Sequence, residues 1–152
     1  MVSTIALAGD ANYLPLPMAG RVMARVLAVD PGKVRIGLAI SDPTGTIARP
    51  LSILRHTSRR EDALAILKAA AEHQAGLILV GVALDQEGEV GPQARKALRL
   101  VDVLREEGDL PIMTWDESGS TQAARRGPRR DARLDARAAA VILQEYLDAQ
   151  KG

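Results

Sequence analysis

The stretch from Arg25 to Asp42, RVLAVDPGKVRIGLAISD, constrains this chain most: an apolar run closes on Asp30, turns through Pro31-Gly32 and resumes as a second apolar run to Ser41. Val26-Leu27-Ala28-Val29 reads as a buried apolar strand. Its terminal Asp30 sets a carboxylate at the lip of a sheet, where loss of water is costly unless a positive charge answers it. Metal ions are the usual answer there.

Two further segments follow with hairpin spacing. Lys33 to Ser41 is apolar and β-branched, Asp42-Pro43-Thr44-Gly45 is a turn signal, and Thr46 to Leu54 resumes an extended pattern, which predicts a three-stranded antiparallel meander. Ser58 with Glu61 is a capping box opening a helix whose stripe is Leu64, Leu67, Ala70 and Ala71, ending before Gly76. Leu77-Ile78-Leu79-Val80-Gly81 predicts a parallel strand buried on both faces. After a polar loop from Leu84 to Gly91, Pro92 opens a second helix carrying Ala94, Ala97, Leu98, Val101 and Leu104 and stopped by Gly108. Pro111 to Trp115 is the fifth strand, running into Asp116 and Glu117, and a last helix spans about Asp131 to Ala149. This order predicts an α/β domain with a mixed five-stranded sheet, three antiparallel strands plus two parallel ones, flanked by helices.

The core must be aliphatic, because 152 residues include no Phe, one Trp and two Tyr. The absence of cysteine excludes disulfides and thiolate metal sites, leaves oxygen ligands and the two histidines, and fits a reducing cytoplasm. No apolar run approaches bilayer length, so no membrane partner is expected. Residues 1–23 carry Pro15, Pro17 and Gly20 and no periodicity. They are expected to be disordered or a spurious extension preceding a true start at Met23, with a single domain over 24–150 and no signal peptide.

Net charge is only +1, so attraction for polyanions depends on where the arginines lie. Arg125, Arg126, Arg129, Arg130, Arg133 and Arg137 crowd one segment, opposed there only by Asp131 and Asp135. That run is either a solvated helix face or a track that orients a phosphate backbone without reading its sequence. Lys33 and Arg35 flank the first turn as candidate phosphate contacts, the alternative being a solvated turn. The few aromatics argue against base stacking.

In the last helix Ala138, Ala139, Ile142, Leu143, Tyr146 and Leu147 define an apolar face, and Asp135 falls on the same face at its N-terminal end. The helix dipole offsets about 0.3–1 kcal/mol of that carboxylate's burial, too little on its own. If the helix crosses the sheet, Asp135 can meet Asp30 and Glu117. Three convergent carboxylates repel one another and take up protons unless a divalent cation holds them ionised. Hard oxygen donors select Mg²⁺ or Mn²⁺, and two such ions about 3.5–4 Å apart can activate a water and stabilise a leaving oxygen in phosphodiester cleavage. Taken singly, each acid has a plainer role: Asp30 as a turn cap, Glu117 as a loop acid, Asp135 as a helix cap or the partner of an arginine. Asp42 reads as a turn residue, Ser120 and Thr121 as backbone-bonding residues at a helix start, and His56 and His73 as surface residues.

The order of elements is similar to the ribonuclease H-like fold, and the sequence resembles the YqgF/RuvX family, associated with Holliday junction resolution and with pre-16S rRNA processing. The matching blocks are Asp30-Pro31-Gly32 with Arg35-Ile36-Gly37, Ser41-Asp42-Pro43, Ala48-Arg49-Pro50, Val80-Gly81, Gly88 with Gly91-Pro92-Gln93-Ala94, Asp116-Glu117 with Ser120-Thr121, and Asp135 with Ala138-Ala139. The family's acidic residues fall on Asp30, Glu117 and Asp135. Two departures stand out: Ser118-Gly119 replaces the family's Arg-Leu, and Gly81-Val82-Ala83 replaces its Gly-Leu-Pro. The resemblance implies a metal-dependent nuclease acting on structured RNA at the 5′ end of pre-16S rRNA, as a monomer or weak homodimer. The alternatives are a dimeric resolvase of branched DNA and a non-catalytic RNA-binding factor of ribosome assembly or transcription. An actin-like ATP-binding fragment shares the Asp-Gly type of first turn, but one domain lacks the second lobe that closes over a nucleotide.

Overall fold

The computed structural model describes residues 24–117 and 132–151, the latter by backbone alone over 132–135. β1 (Arg25–Pro31), β2 (Arg35–Ser41) and β3 (Ala48–Arg55) form the expected antiparallel meander. Helix α1 (Arg59–Glu72), strand β4 (Ala75–Val82), helix α2 (Pro92–Glu107), strand β5 (Ile112–Asp116) and helix α3 (Ala132–Lys151) complete it. The strand order is β3-β2-β1-β4-β5, with β4 parallel to both β1 and β5.

The two faces of the sheet divide the aliphatic residues by alternation. Leu27, Val29, Ile36, Leu38, Ile40, Ile78, Val80 and Val82 face α1 and α2, while Val26, Ala28, Ala39 and Leu79 face Ala139, Ile142 and Leu143 of α3. Burial on both sides is why β1 and β4 read as unbroken apolar runs. Each fully covered Val, Leu or Ile contributes about 1.5–3 kcal/mol of transfer free energy before chain entropy is subtracted. The apolar face expected of α3 is fully realised: Ala138, Ala139, Ile142, Leu143, Tyr146 and Leu147 are all buried. Trp115 and Tyr146 close the outer end of this layer edge to face, with ring centroids 5.6 Å apart.

Side chains that take up backbone groups set the element ends. Ser41 Oγ accepts the Val26 N–H at 2.8 Å, which satisfies β1 where its register with β4 shifts. The β1–β2 turn requires glycine, because a Cβ on Gly32 would run into the Arg35 carbonyl. β2 therefore begins at Arg35, two residues later than expected. Asp42 Oδ1 accepts the N–H groups of Thr46 and Ile47, both at 2.8 Å, so those residues belong to the turn and β3 starts at Ala48 instead of Thr46. Bonding from Ile47, then from Thr44 and Thr46, holds the Asp42 carboxyl well below the usual carboxylate range. Such a depressed value favours the fold above the unfolded-state value, and the benefit is lost as pH falls through the native one. Asp42 is a turn residue, as expected.

Helix α1 starts where its sequence says, with Ser58 Oγ accepting the Glu61 N–H at 3.1 Å. Ser58→Ala is expected to lower stability by about 0.5–2 kcal/mol, read as a fall in the denaturation midpoint with unchanged m-value. The phase of this helix differs from the expected stripe. Ala63, Ile66 and Ala70 are buried and Leu67 partly so, whereas Leu64 is 41 % exposed and Ala71 lies outside. The reason is Asp62, whose carboxylate takes the Thr57 N–H at 3.0 Å and bonds His56 Nδ1, and so rotates its own side of the helix inward. His56 is accordingly a half-exposed partner of a buried acid, not simply a surface residue. The expectations for residues 1–23 and for Ser120 and Thr121 lie outside the described residues.

Candidate active site

Asp30 is the last buried residue of β1, and alternation from Val26 and Ala28 turns it toward α3. It is 2 % exposed. In the sheet it stands between two glycines. Gly37 of β2 is its paired neighbour on one side. On the other, Val29 pairs with Val80, so the next residues along, Asp30 and Gly81, lie side by side at a strand spacing of about 4.8 Å.

Glu117 follows β5 directly, and its N–H donates to the Val82 carbonyl at 3.1 Å, which extends the parallel pairing by one step. Trp115 faces α3, so Glu117, two residues on, faces it too. Its side chain is 1 % exposed and folds back over Gly81. A Cβ built on Gly81 would lie 2.8 Å from Glu117 Oε2 and 2.8 Å from Ile142 Cδ1. Gly81 is therefore the seat of the Glu117 carboxylate, with the Asp30 strand immediately beside it and Ile142 of α3 as the cover.

These two acids, 87 residues apart in sequence, thus meet at the C-terminal edge of the parallel strands. Both are buried carboxylates, which as anions offer only acceptor oxygens. Two desolvated negative charges at one point are unfavourable without a cation, and hard oxygen donors suit a divalent ion of the magnesium class. The residues present fit such an ion.

Asp135 lies in the first turn of α3 by its backbone, two helical turns ahead of Ile142, which rests against Gly81. That is about 10.5 Å along the helix axis. Its carboxylate is outside the described residues, as are Arg125, Arg126, Arg129 and Arg130 altogether and the side chain of Arg133. Among the described residues no three of His, Asp and Glu form a metal-binding group. Arg35 lies on the same face as Asp30 by alternation along β2, whereas Lys33 lines a cleft on the other side of the sheet. Sequence reasoning missed the roles of Gly37 and Gly81. The available signal was a glycine inside a strand, which marks close approach of another group.

A mixed sheet in this order, with α3 on one face, α1 and α2 on the other and acids at its edge, defines a ribonuclease H-like α/β domain. Solved chains are similar to it in fold. They include RuvC of T. thermophilus in complex with Holliday junction substrate, at TM-score 0.55 and 19 % identity over 85 % of this chain and 96 % of that one. The fowlpox virus resolvase bound to Holliday junction DNA has a TM-score of 0.50 at 10 % identity, covering 84 % and 99 %. In sequence, residues 24–149 match the family model RuvX, described as Holliday junction resolvase, and the chain belongs to that family. A relative from Thermoanaerobacter pseudethanolicus, named "Putative pre-16S rRNA nuclease", is 38 % identical over 84 % of this chain and 98 % of its own length. One from Roseiflexus sp. with the same name is 40 % identical over 84 % and 96 %.

Proposed function

We propose that this protein is a divalent-metal-dependent nuclease that hydrolyses phosphodiester bonds in structured RNA and acts at the 5′ end of pre-16S rRNA. The observation that carries the chemistry is the meeting of Asp30 and Glu117 over Gly81 beneath α3. The RNA substrate is supported by the names of relatives that share over a third of their residues with this chain.

Asp30, Glu117 and Asp135 would hold Mg²⁺ or Mn²⁺, as two ions in the fullest arrangement. When bound, such ions supply a water nucleophile at neutral pH and stabilise charge on the attacking and leaving oxygens. The chain's own residues fix where this happens. Gly37 and Gly81 flank Asp30 in the sheet, and the missing side chain at Gly81 leaves the room in which the Glu117 carboxylate lies beside the Asp30 strand. Ile142 and the α3 layer shield the acids from bulk water, which strengthens every charge interaction at the edge. Arg35, on the same face, and the Arg125–Arg133 segment are assigned to the backbone of the substrate, with Lys33 at the turn. One domain of residues 24–150 carries the whole site, so the RNA reaction needs no second copy. No described helix is long and apolar enough to cross a membrane, and we assign the protein to the cytoplasm, where rRNA is made.

The family description favours a second reading, cleavage of four-way DNA junctions, which requires two sites and therefore a dimer. Labelled precursor rRNA, unstructured RNA, duplex DNA and a four-way junction, each incubated with and without Mn²⁺, separate the possibilities. Metal-dependent cut products from precursor rRNA are expected. Symmetric nicking of the junction alone would assign the resolvase reaction. Salt-sensitive binding without cleavage of any substrate would leave a non-catalytic RNA-binding factor.

A further inference from the structure

The opposite face of the sheet carries a cleft of about 250 Å³ of which the proposed function uses Lys33 alone. It lies beneath the Pro31-Gly32 turn, between the end of β3, the start of α1 and the first half of α2, and its polar lining includes Lys33, His56, Arg59, Asp62 and Lys96. Ile36, which also lines it, belongs to the core shared with α1 and α2, so the cleft and Asp30 stand on opposite sides of one hairpin turn.

The charge balance of the cleft is strongly positive. Asp62 is 5 % exposed, with Oδ1 taken by the Thr57 N–H and Oδ2 by His56 Nδ1. An ionised carboxylate only accepts, so the imidazole donates from Nδ1, and the pair fixes the ring at the cleft wall. Lys33, Arg59 and Lys96 are exposed, and among the described residues none of them sits in an ion pair. Arg59 also stands in the first turn of α1, whose positive end favours an anion. Three uncommitted cations converge from positions 33, 59 and 96 around an acid that is already satisfied.

We infer that this cleft binds a phosphate group of the nucleic-acid strand, away from the bond being cut, and so holds the strand where it wraps over the Pro31-Gly32 turn. The inference rests on the nuclease reading for the identity of the strand. The cleft is smaller than the roughly 300–1,000 Å³ of typical ligand pockets and has no Phe, Tyr or Trp in its lining, and its one ring, His56, is held by Asp62. A backbone phosphate fits those limits better than a whole nucleotide does. The turn connects the two places directly: Pro31 lines the cleft and follows Asp30 in the chain.

The test is binding measured without divalent metal, so that it does not depend on cleavage. Fluorescent single-stranded and hairpin RNA are titrated against the wild type, Arg59→Ala/Lys96→Ala, Lys96→Glu, Lys96→Arg and, as a control, Lys68→Ala, whose exposed ammonium lies toward the far end of α1. The double variant is expected to bind at least tenfold more weakly and to lose about 0.7 from the salt slope for each charge removed on a single strand. Lys96→Glu, which makes the same change of two charges, should weaken binding to a similar extent, while Lys96→Arg and Lys68→Ala should match the wild type. Circular dichroism identifies any variant that has lost its fold, and the exposed charge-conserving Lys96→Arg keeps the comparison intact. Equal affinity and salt slope in the folded double variant would overturn the inference. Inorganic phosphate or AMP competing at micromolar concentration would overturn it differently, by assigning the cleft to a small anion. Cleft-dependent binding by a protein that cuts nothing would sink the nuclease reading and leave the cleft standing.

Discussion

Asp30→Asn is expected to lower metal-dependent cleavage by at least about 10²–10³-fold, the scale on which removal of one preorganised charge-stabilising group acts. The substitution is nearly isosteric. It exchanges one anionic oxygen for an amide and takes one negative charge from a site where two buried carboxylates meet. Cation affinity falls because the donor set loses charge, and the amide N–H₂ presents hydrogens where an oxygen is needed. Stability should change little, since the substitution keeps the shape of a side chain that is only 2 % exposed. An unfolding temperature close to that of the wild type, together with collapsed single-turnover cleavage, is the expected pair of results. Full turnover in the folded variant would remove Asp30 from the chemistry. A large fall in unfolding temperature would make it a structural acid.

The elements legible in sequence were those whose burial is set locally. The apolar run Val26–Val29 read as a buried strand and Leu77–Val80 as one covered on both faces, and the spacing of Ala138, Ala139, Ile142, Leu143, Tyr146 and Leu147 fixed the phase of α3. The same spacing predicts Asp135 on the inner stripe of the helix, a prediction about a side chain outside the described residues. Helix α1 was misphased because its inner face is decided by a tertiary contact: Asp62 is drawn inward by His56 and Thr57 from the end of β3, and a charged residue outbids Leu64 for the buried position. Asp30 and Glu117 were legible as strand-end acids, whereas the seat that joins them was not, because a glycine carries no side chain to announce what lies over it. The basic cleft was hidden for a different reason. Lys33, Arg59 and Lys96 belong to three elements, and no periodicity links them.

Gly81 offers the sharpest separation of packing from chemistry at this site. Gly81→Ala introduces a methyl group 2.8 Å from both Glu117 Oε2 and Ile142 Cδ1, closer than carbon and oxygen or two carbons can approach. Either the carboxylate swings off its seat or α3 lifts from the sheet. Overpacking of this kind costs about 1–3 kcal/mol. For a domain of this size that corresponds to a fall in unfolding temperature of roughly 2–4 °C per kcal/mol. The functional cost should be larger in proportion, because a displacement near 1 Å at a reacting centre can remove about 10²-fold in rate. Gly108→Ala supplies the comparison: its Cβ would meet Leu67 Cδ2 at 2.7 Å, between α1 and the end of α2 and away from the acids. Both variants should unfold at lower temperature, but only Gly81→Ala should lose about 10²-fold in cleavage per folded molecule. If instead Gly81→Ala loses stability alone and cuts at the wild-type rate, Glu117 is a packing residue and the metal must be held elsewhere.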